Sequence, residues 1–292
     1  MKKIIGIWDL KKSNNRLGFF LIFLEELLLY QEILKANRVE IFFYFEKNSI
    51  IQPFLVNLAL FNPFVESLHF VHENRISFDD SDEIFYWPTS HMDKYLSYSG
   101  STLAVQKLWQ KTCKLINLIS PINIRKQAQE WIKKYVYNSI PIIVHLKNSQ
   151  TDTKSNANHE SWIELFKYCE DKKLPVKFVV IGNDPYDPQL LNCSNVIITQ
   201  LHGGYIELEL ALIPNSLFFM GMSSGPCNMA IMSDHPYLIW KHPDHHVEEM
   251  THEFQDQKQF PFANQYQYFI RDWDTPENLI RNFDNLYSML KP

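Results

Sequence analysis

Glycine and cysteine are both scarce in this chain. Its 292 residues contain 8 glycines and 4 cysteines, and no two cysteines form a C-x-x-C pair. That spacing argues against a zinc ribbon and a disulfide scaffold, and it favours a reducing compartment. The chain also lacks a long basic block, and its net charge is −5. A nucleic-acid backbone is therefore not expected as a partner.

The chain has no long uncharged hydrophobic run either. The most apolar stretch, residues 17–34, carries Glu25 and Glu26 in its middle. A membrane span needs about 20 nearly uncharged residues, so this stretch predicts a buried helix. The short apolar run near the N-terminus is interrupted at Trp8 and Asp9, and no cleavage site of small residues follows it. We expect a soluble, cytoplasmic protein without a transmembrane segment, for which peripheral membrane contact stays open.

Apolar runs of strand type alternate with helical patterns along the whole chain, which predicts parallel α/β sheets. Candidate strands lie at 3–10, 39–45, 66–73 and 83–88 in the first half, and at 140–146, 176–182, 195–200, 216–221 and 236–241 in the second. A closing C-terminal helix begins with Thr275 as N-cap and Pro276 at the first helical position. The sequence thus predicts two Rossmann-like domains, residues 1–137 and 138–292, facing each other across a cleft (a GT-B-like architecture).

In open parallel sheets, ligands bind beyond the carboxyl ends of the strands. The polar residues that follow the strands of the second half are therefore candidate ligand-binding residues. They are His145, Lys147, Asn148, Asn183, Asp184, Gln200, His202, Glu207, Ser223, Ser224, Gly225 and Pro226.

One of these loops carries a recognisable motif. The segment "MSSGPCNMA" (222–230) follows a predicted strand and has the form of a tight turn leading into a helix. It resembles the S-x-G-P turn of bacterial heptosyltransferase-like enzymes of the GT-B fold, in which the turn and the next helix N-terminus hold the diphosphate of a nucleotide sugar. Gly225 would let the backbone approach phosphate oxygens, and the helix dipole would favour negative charge. The alternative is that Ser224 is only an N-cap and Gly225 only a turn residue.

A second segment, "IIVHLKNSQTD" (142–152), resembles the first C-terminal-domain strand of a glycosyltransferase group with His-x-Arg at this place, which includes fucosyltransferase-like enzymes. This chain has Lys147 where that group has arginine. Lysine binds phosphate as a point charge but cannot make the bidentate contact of arginine. The resemblance covers about residues 140–242.

Together these motifs imply a metal-independent glycosyltransferase of cell-surface glycan biosynthesis. It would move a sugar from a nucleotide-sugar donor, its only cofactor-like molecule, to a glycan, lipid-linked or protein acceptor. Lys147 and the turn would neutralise the leaving diphosphate. Asp9, at the end of the first strand, is the candidate catalytic base, with His91 and Asp93 in reserve, although a helix-capping or loop-fixing role would equally suit Asp9.

Two other functions stay open. A nucleotide-sugar epimerase of the same architecture could enclose the sugar with Glu207, His202 and Asp184. A non-catalytic nucleotide-sugar-binding subunit would bind without turnover.

Two clusters could suggest a metal. Asp80 and Asp82 have a metal-binding spacing, but a solvated acidic turn is the preferred interpretation. The loop 242–254 holds enough ligands for zinc, yet their spacing matches no closed zinc pattern, so a mobile polar loop at the cleft rim is expected. Its candidate ligands are His242, His245, His246, His252, Glu248 and Glu249. No metal site is predicted.

Overall fold

The chain forms two compact units, Met1–Pro121 and Ile122–Pro292. The computed structural model describes residues 2–10, 16–45, 51–72, 83–88, 102–254 and 257–291. The sequence places the boundary at 137/138, whereas the structure places it before the helix Ile122–Tyr135. This helix belongs to the second unit because it packs on the helix Ile206–Leu212 there.

The first unit is built on a parallel sheet. Its strands are β1 (Lys3–Asp9), β2 (Arg38–Phe45), β3 (Val65–His72) and β4 (Ile84–Trp87), and its helices are α1 (Leu17–Leu34), α2 (Pro53–Ala59) and α3 (Leu103–Thr112). The sheet order is β3-β2-β1-β4, with every pair parallel. These strands and α1 confirm the parallel α/β pattern predicted for the first half.

The sequence of helix α1 is apolar because the helix is buried along most of its length. Two carboxylates are buried with it. Glu25 accepts a hydrogen bond from the Ile116 backbone N–H (3.2 Å), and Glu26 accepts one from Trp87 Nε1 (3.0 Å). Burial raises the pKa of Glu25 well above its usual value. Among the described residues, no helix is both long enough and apolar enough to cross a bilayer.

The second unit is built on a larger parallel sheet. Its strands are β5 (Ile140–His145), β6 (Val176–Ile181), β7 (Val196–Ile198), β8 (Phe219–Met222), β9 (Tyr237–Trp240) and β10 (Gln267–Ile270). Its helices are α4 (Ile122–Tyr135), α5 (His159–Asp171), α6 (Ile206–Leu212), α7 (Asn228–Ile231), α8 (Val247–Phe254) and α9 (Pro276–Leu290). The sheet order is β10-β9-β8-β5-β6-β7. The winding reverses between β5 and β8, which is the position where ligands bind in doubly wound sheets.

The core of this unit fills one face of the sheet. Trp162 and Phe166 of α5 and Phe283 of α9 are fully buried and pack with Phe178 of β6 and Trp240 of β9. Ring centroids of Trp162 and Trp240 lie 5.5 Å apart in an edge-to-face arrangement, and those of Phe166 and Phe178 lie 4.6 Å apart. Aromatic pairs of this geometry hold the strand ends, and the loops on them, in a fixed position.

The five predicted strands and the C-terminal helix of this unit are confirmed, and Thr275 caps α9 by accepting from the Asn278 backbone N–H (3.3 Å). The sequence missed β10. This edge strand has only four residues, and its first, Gln267, uses its buried side chain to donate to the carbonyls of Ser233 and His235. A polar residue in so short a strand leaves no apolar run to detect.

Candidate functional site

The reversal point of the second sheet brings two predicted site residues into contact. His145 ends β5, and Ser224 follows β8, the neighbouring strand. Ser224 Oγ lies 2.8 Å from His145 Nδ1. Because His145 is buried (4% exposed), the ring serves to orient the serine hydroxyl on the solvent side of the sheet edge.

His145 is held in its neutral form. Burial lowers its pKa to about 4, an effect that Asp184 opposes and Lys147 reinforces. Two glycines make room for the residue. A Cβ on Gly182, where φ is +105°, would lie 2.7 Å from the ring, and one on Gly221, where φ is +153°, would lie 2.3 Å from the His145 carbonyl oxygen. The scarce glycines are thus placed where backbone and ring come closest.

The turn after β8 is tighter and more self-contained than the sequence predicts. The Ser223 N–H donates to the Trp240 carbonyl (2.7 Å), and the Ser224 N–H donates to Cys227 Sγ (3.3 Å). Helix α7 after the turn has only four residues. Its dipole is therefore weaker than a longer helix would supply.

Gly225 and Pro226 are half-buried in this turn, like the two serines before them. Gly225 is not among the described glycines with positive φ. Its backbone conformation therefore does not require glycine.

Lys147, predicted to bind phosphate, is already paired. Its Nζ lies 2.6 Å from Asp152 Oδ2 and also donates to Ser155 Oγ. Burial would raise the pKa of Asp152, but hydrogen bonds from Lys147 and Ser155 outweigh it and the pKa is lowered. The charge of Lys147 is therefore compensated by its own loop in this structure.

Lys241 is the cation that the sequence did not select. It directly follows β9, is buried (8% exposed), and has no hydrogen bond or ion pair for its ammonium group among the residues that the structure describes. Burial lowers its pKa, which Glu253, Cys227 and Asp152 oppose and Lys147 reinforces. The segment "YLIWK" (237–241) could have indicated Lys241 as a site residue, because a lysine directly after a buried strand lies at the carboxyl edge of the sheet.

On the other side of His145, three predicted residues form one network. Asp184 Oδ2 lies 3.7 Å from His145 Nε2 and accepts from the Asn148 backbone N–H (3.2 Å). Gln200 Nε2 donates to the carbonyls of Gly182 (2.6 Å) and Asp184 (3.0 Å). Asn183 is exposed beside them. The arrangement offers several hydrogen-bonding groups to a polar ligand at this edge.

Two predicted residues do not join these groups. His202 is exposed and its ring packs on Tyr135 of α4, with centroids 4.6 Å apart. Glu207 is buried within α6. The sequence missed Glu209 of the same helix, which accepts from the Gly182 N–H (3.1 Å) and from Thr199 Oγ1 and so ties α6 to the end of β6.

In the first unit, Asp9 ends β1 as predicted and lies opposite Tyr44 of β2. Burial, with Asp9 and Tyr86, raises the pKa of Tyr44. The other predicted first-half residues lie outside the described residues: His91, Asp93, Asp80 and Asp82.

Within the histidine-rich loop, His242 belongs to a structural network. Its Nε2 lies 2.8 Å from Asp274 Oδ1 and its Nδ1 lies 2.8 Å from the Lys154 carbonyl. Asp274 also accepts from Trp162 Nε1 (2.8 Å). His242 therefore fastens the loop to α5 and α9, whereas His252 on α8 is exposed.

At the level of sequence, no family model matches the chain, and no curated protein matches it. Its structure is similar to that of a glycosyl transferase of family 9 from Veillonella parvula, with a TM-score of 0.61 and 13% identity over 99% of this chain and 97% of the other. The E. coli ADP-heptose LPS heptosyltransferase II gives 0.61 at 10% identity, with both chains fully covered. The E. coli heptosyltransferase WaaC with ADP gives 0.54 at 11%, covering 99% of each chain. These likenesses show that the chain has the fold of these GT-B glycosyltransferases.

Proposed function

We propose that this protein is a glycosyltransferase that transfers a sugar from a nucleotide-sugar donor to a hydroxyl group of a glycan or other acceptor. The observation that carries the proposal is Lys241, a buried cation without an ion-pair partner among the described residues, at the same strand-end edge as the Ser223–Gly225 turn. A buried charge that is left unpaired costs free energy, and a bound anion would recover it. The fold shared with glycosyltransferases supports a nucleotide diphosphate as that anion.

The proposed chemistry needs positive charge where the leaving diphosphate forms. Lys241 would supply it, Lys147 would add to it when the ligand competes with Asp152, and Ser224, oriented by His145, would donate a hydrogen bond. Fixed groups of this kind stabilise developing negative charge without reorganisation. Transfer would then need no metal ion. Asp9 stays the proposed base that takes the proton of the acceptor hydroxyl.

The donor is tested first by thermal unfolding of the protein with a panel of UDP-, GDP-, ADP- and CMP-sugars. ADP-sugars come first because WaaC binds ADP. A ligand at about 100 times its Kd stabilises by about 2.7 kcal/mol, which for a protein of this size raises the melting temperature by about 5 °C or more. If no nucleotide sugar shifts the transition, the proposal is wrong.

Product analysis with the stabilising donor then separates the related activities. A transferase gives free nucleotide diphosphate and a glycosylated acceptor only when an acceptor is present. Conversion of the nucleotide sugar alone would indicate an epimerase, and binding without any product under both conditions would indicate a non-catalytic subunit.

A further inference from the structure

Three potential metal ligands meet beside the proposed donor site, and we call Asp152, His245 and His246 the histidine cluster. One ligand atom from each of them lies within 4.8 Å of the other two. Asp152 comes from the loop after β5, and the two histidines come from the loop after β9. The cluster therefore joins two loops that the sheet alone does not connect.

His245 is the unusual member, because it is buried without hydrogen bonds. It is 7% exposed, and neither ring nitrogen has a hydrogen-bond partner in the described part of the chain. Asp152 Oδ1 is 3.1 Å from Nε2 but does not meet the geometry of a hydrogen bond. Two ligands of one tetrahedral ion at about 2.0–2.2 Å from it also stand a little over 3 Å apart, each aimed at the ion rather than at the other.

The surrounding groups hold the three side chains in place. Asp152 Oδ2 is fixed by Lys147 and by Ser155 Oγ (2.7 Å), which leaves Oδ1 turned to His245. Glu249 lies 3.3 Å from His246 Nδ1. Partners of this kind orient metal-ligating groups.

The backbone of His246 is a second indication that the histidine cluster is held in a constrained conformation. His246 has a φ of +52°, and its ring lies edge-to-face on that of His245 with centroids 4.1 Å apart. A non-glycine residue in this conformation carries a cost of roughly 1–3 kcal/mol, and such residues concentrate at functional sites.

We propose that the histidine cluster binds a transition-metal dication of the Zn²⁺ type. Two imidazoles and one carboxylate suit such ions, and a neutral ring is needed for binding. Lys147 and Lys241 lie nearby and repel a cation, so this site binds more weakly than a closed four-ligand zinc site.

The ion would fasten the loop before α8 to the loop before α5. Its ligands lie outside the Ser223–Gly225 turn, although Asp152 also pairs with Lys147 of the proposed donor site. We assign the ion a structural role, in which it holds the two loops together. This proposal goes beyond the glycosyltransferase function and does not depend on it.

The test uses the full-length chain without an affinity tag, stripped of metal. Titration with Co²⁺ is followed by visible absorption, and titration with Zn²⁺ by calorimetry. We expect saturation at one ion per chain and a higher melting temperature with Zn²⁺. Asp152→Asn, His245→Gln and His246→Ala should each weaken binding by more than about 100-fold, because even the loss of an outer partner costs about 10–100-fold.

His252→Ala is the matched control, because His252 is an exposed histidine of the same segment, and it should bind Co²⁺ like the unchanged protein. His246 is also exposed, so His246→Ala decides the matter if His245→Gln fails to fold. Absence of saturable binding, or equal binding by the cluster variants and the control, would overturn the proposal. ADP binding, measured on the His245→Gln and His246→Ala samples, reports separately on the donor site, whereas Asp152→Asn also removes the partner of Lys147.

Discussion

Replacing Lys241 by methionine should make the protein more stable and its nucleotide binding weaker. The side chain is 8% exposed, its ammonium group has no ion pair among the described residues, and burial lowers its pKa. Methionine has a similar length and no charge, so Lys241→Met removes the unpaired buried charge while filling much of the same space. Glu253 and Asp152 compensate part of that charge through space.

The two effects can be estimated from general magnitudes. A fully buried polar group without a partner costs about 1–3 kcal/mol. Because Glu253 and Asp152 compensate part of the Lys241 charge, the free energy of unfolding of the ligand-free variant should rise by about 1 kcal/mol at most. A hydrogen bond from a charged donor to phosphate is worth about 1.5–3 kcal/mol, so the Kd for the nucleoside diphosphate should rise by about 10- to 150-fold.

The assay combines urea unfolding with calorimetric titration of ADP, or of whichever nucleoside diphosphate the donor panel selects. Lys167→Met, an exposed lysine on α5, is the matched control and should change neither quantity appreciably. If Lys241 only supported the fold, the Lys241→Met variant would be less stable than the unchanged protein. If Lys241→Met is less stable than the unchanged protein, or binds the nucleotide as tightly, the assignment of Lys241 to the diphosphate is refuted.

Four further predictions concern the turn after β8, the diphosphate and the buried carboxylate of Glu25. Gly225→Val should fold normally, since Gly225 is not among the described residues with positive φ, yet lose donor binding by orders of magnitude. Ser224→Ala should cost less, about 1.5–3 kcal/mol for one hydrogen bond to a charged group. Calorimetry beside melting temperatures decides both, and normal binding by Gly225→Val would make the turn structural. Sugar transfer should survive EDTA, because lysines and the turn would neutralise the diphosphate; activity lost in EDTA and restored by manganese would contradict this. Glu25→Gln should stabilise the protein increasingly as the pH rises above about 4.5, by up to about 1.4 kcal/mol per pH unit until the raised pKa in the folded protein is reached. That raised pKa favours the folded state at low pH, and the advantage is lost as the pH rises through it. Unfolding curves at several pH values would show a constant difference if Glu25 were not buried and protonated.

The sequence predicted the parallel sheets well because buried parallel strands leave a direct trace, a short run of β-branched and apolar residues. It missed β10, in which a buried glutamine interrupts that trace, and it placed α4 in the wrong half. An amphipathic helix does not encode which of two neighbouring sheets it packs against. The choice is visible only in contacts between distant residues, such as Trp131 Nε1 with the His202 carbonyl (3.2 Å).

The candidate site was predicted as a set of strand ends, and strand order decided which members meet. His145 and Ser224 are 79 residues apart in the chain but adjacent in the sheet, which no local pattern records. The same applies to charge. Lys147 looked like an available cation because its partner, Asp152, stands in a polar loop whose conformation the sequence does not specify. Lys241 was passed over, although in the described residues its ammonium group makes no hydrogen bond or ion pair.

The two glycines around His145 have a consequence for recognising distant relatives. Similar folds at 10–13% identity share too few residues for ordinary sequence comparison. The ring of His145 leaves no space for a Cβ at Gly182, and the backbone of His145 leaves none at Gly221. Gly182 is therefore tied to the histidine side chain, whereas Gly221 is tied to the close approach of the two strands. A histidine at the end of one strand, with a glycine at the ends of both neighbouring strands, is a signature that would outlast most other substitutions. Chains that carry all three would be expected to share the orientation of the serine hydroxyl even where the sequence of the turn itself has diverged.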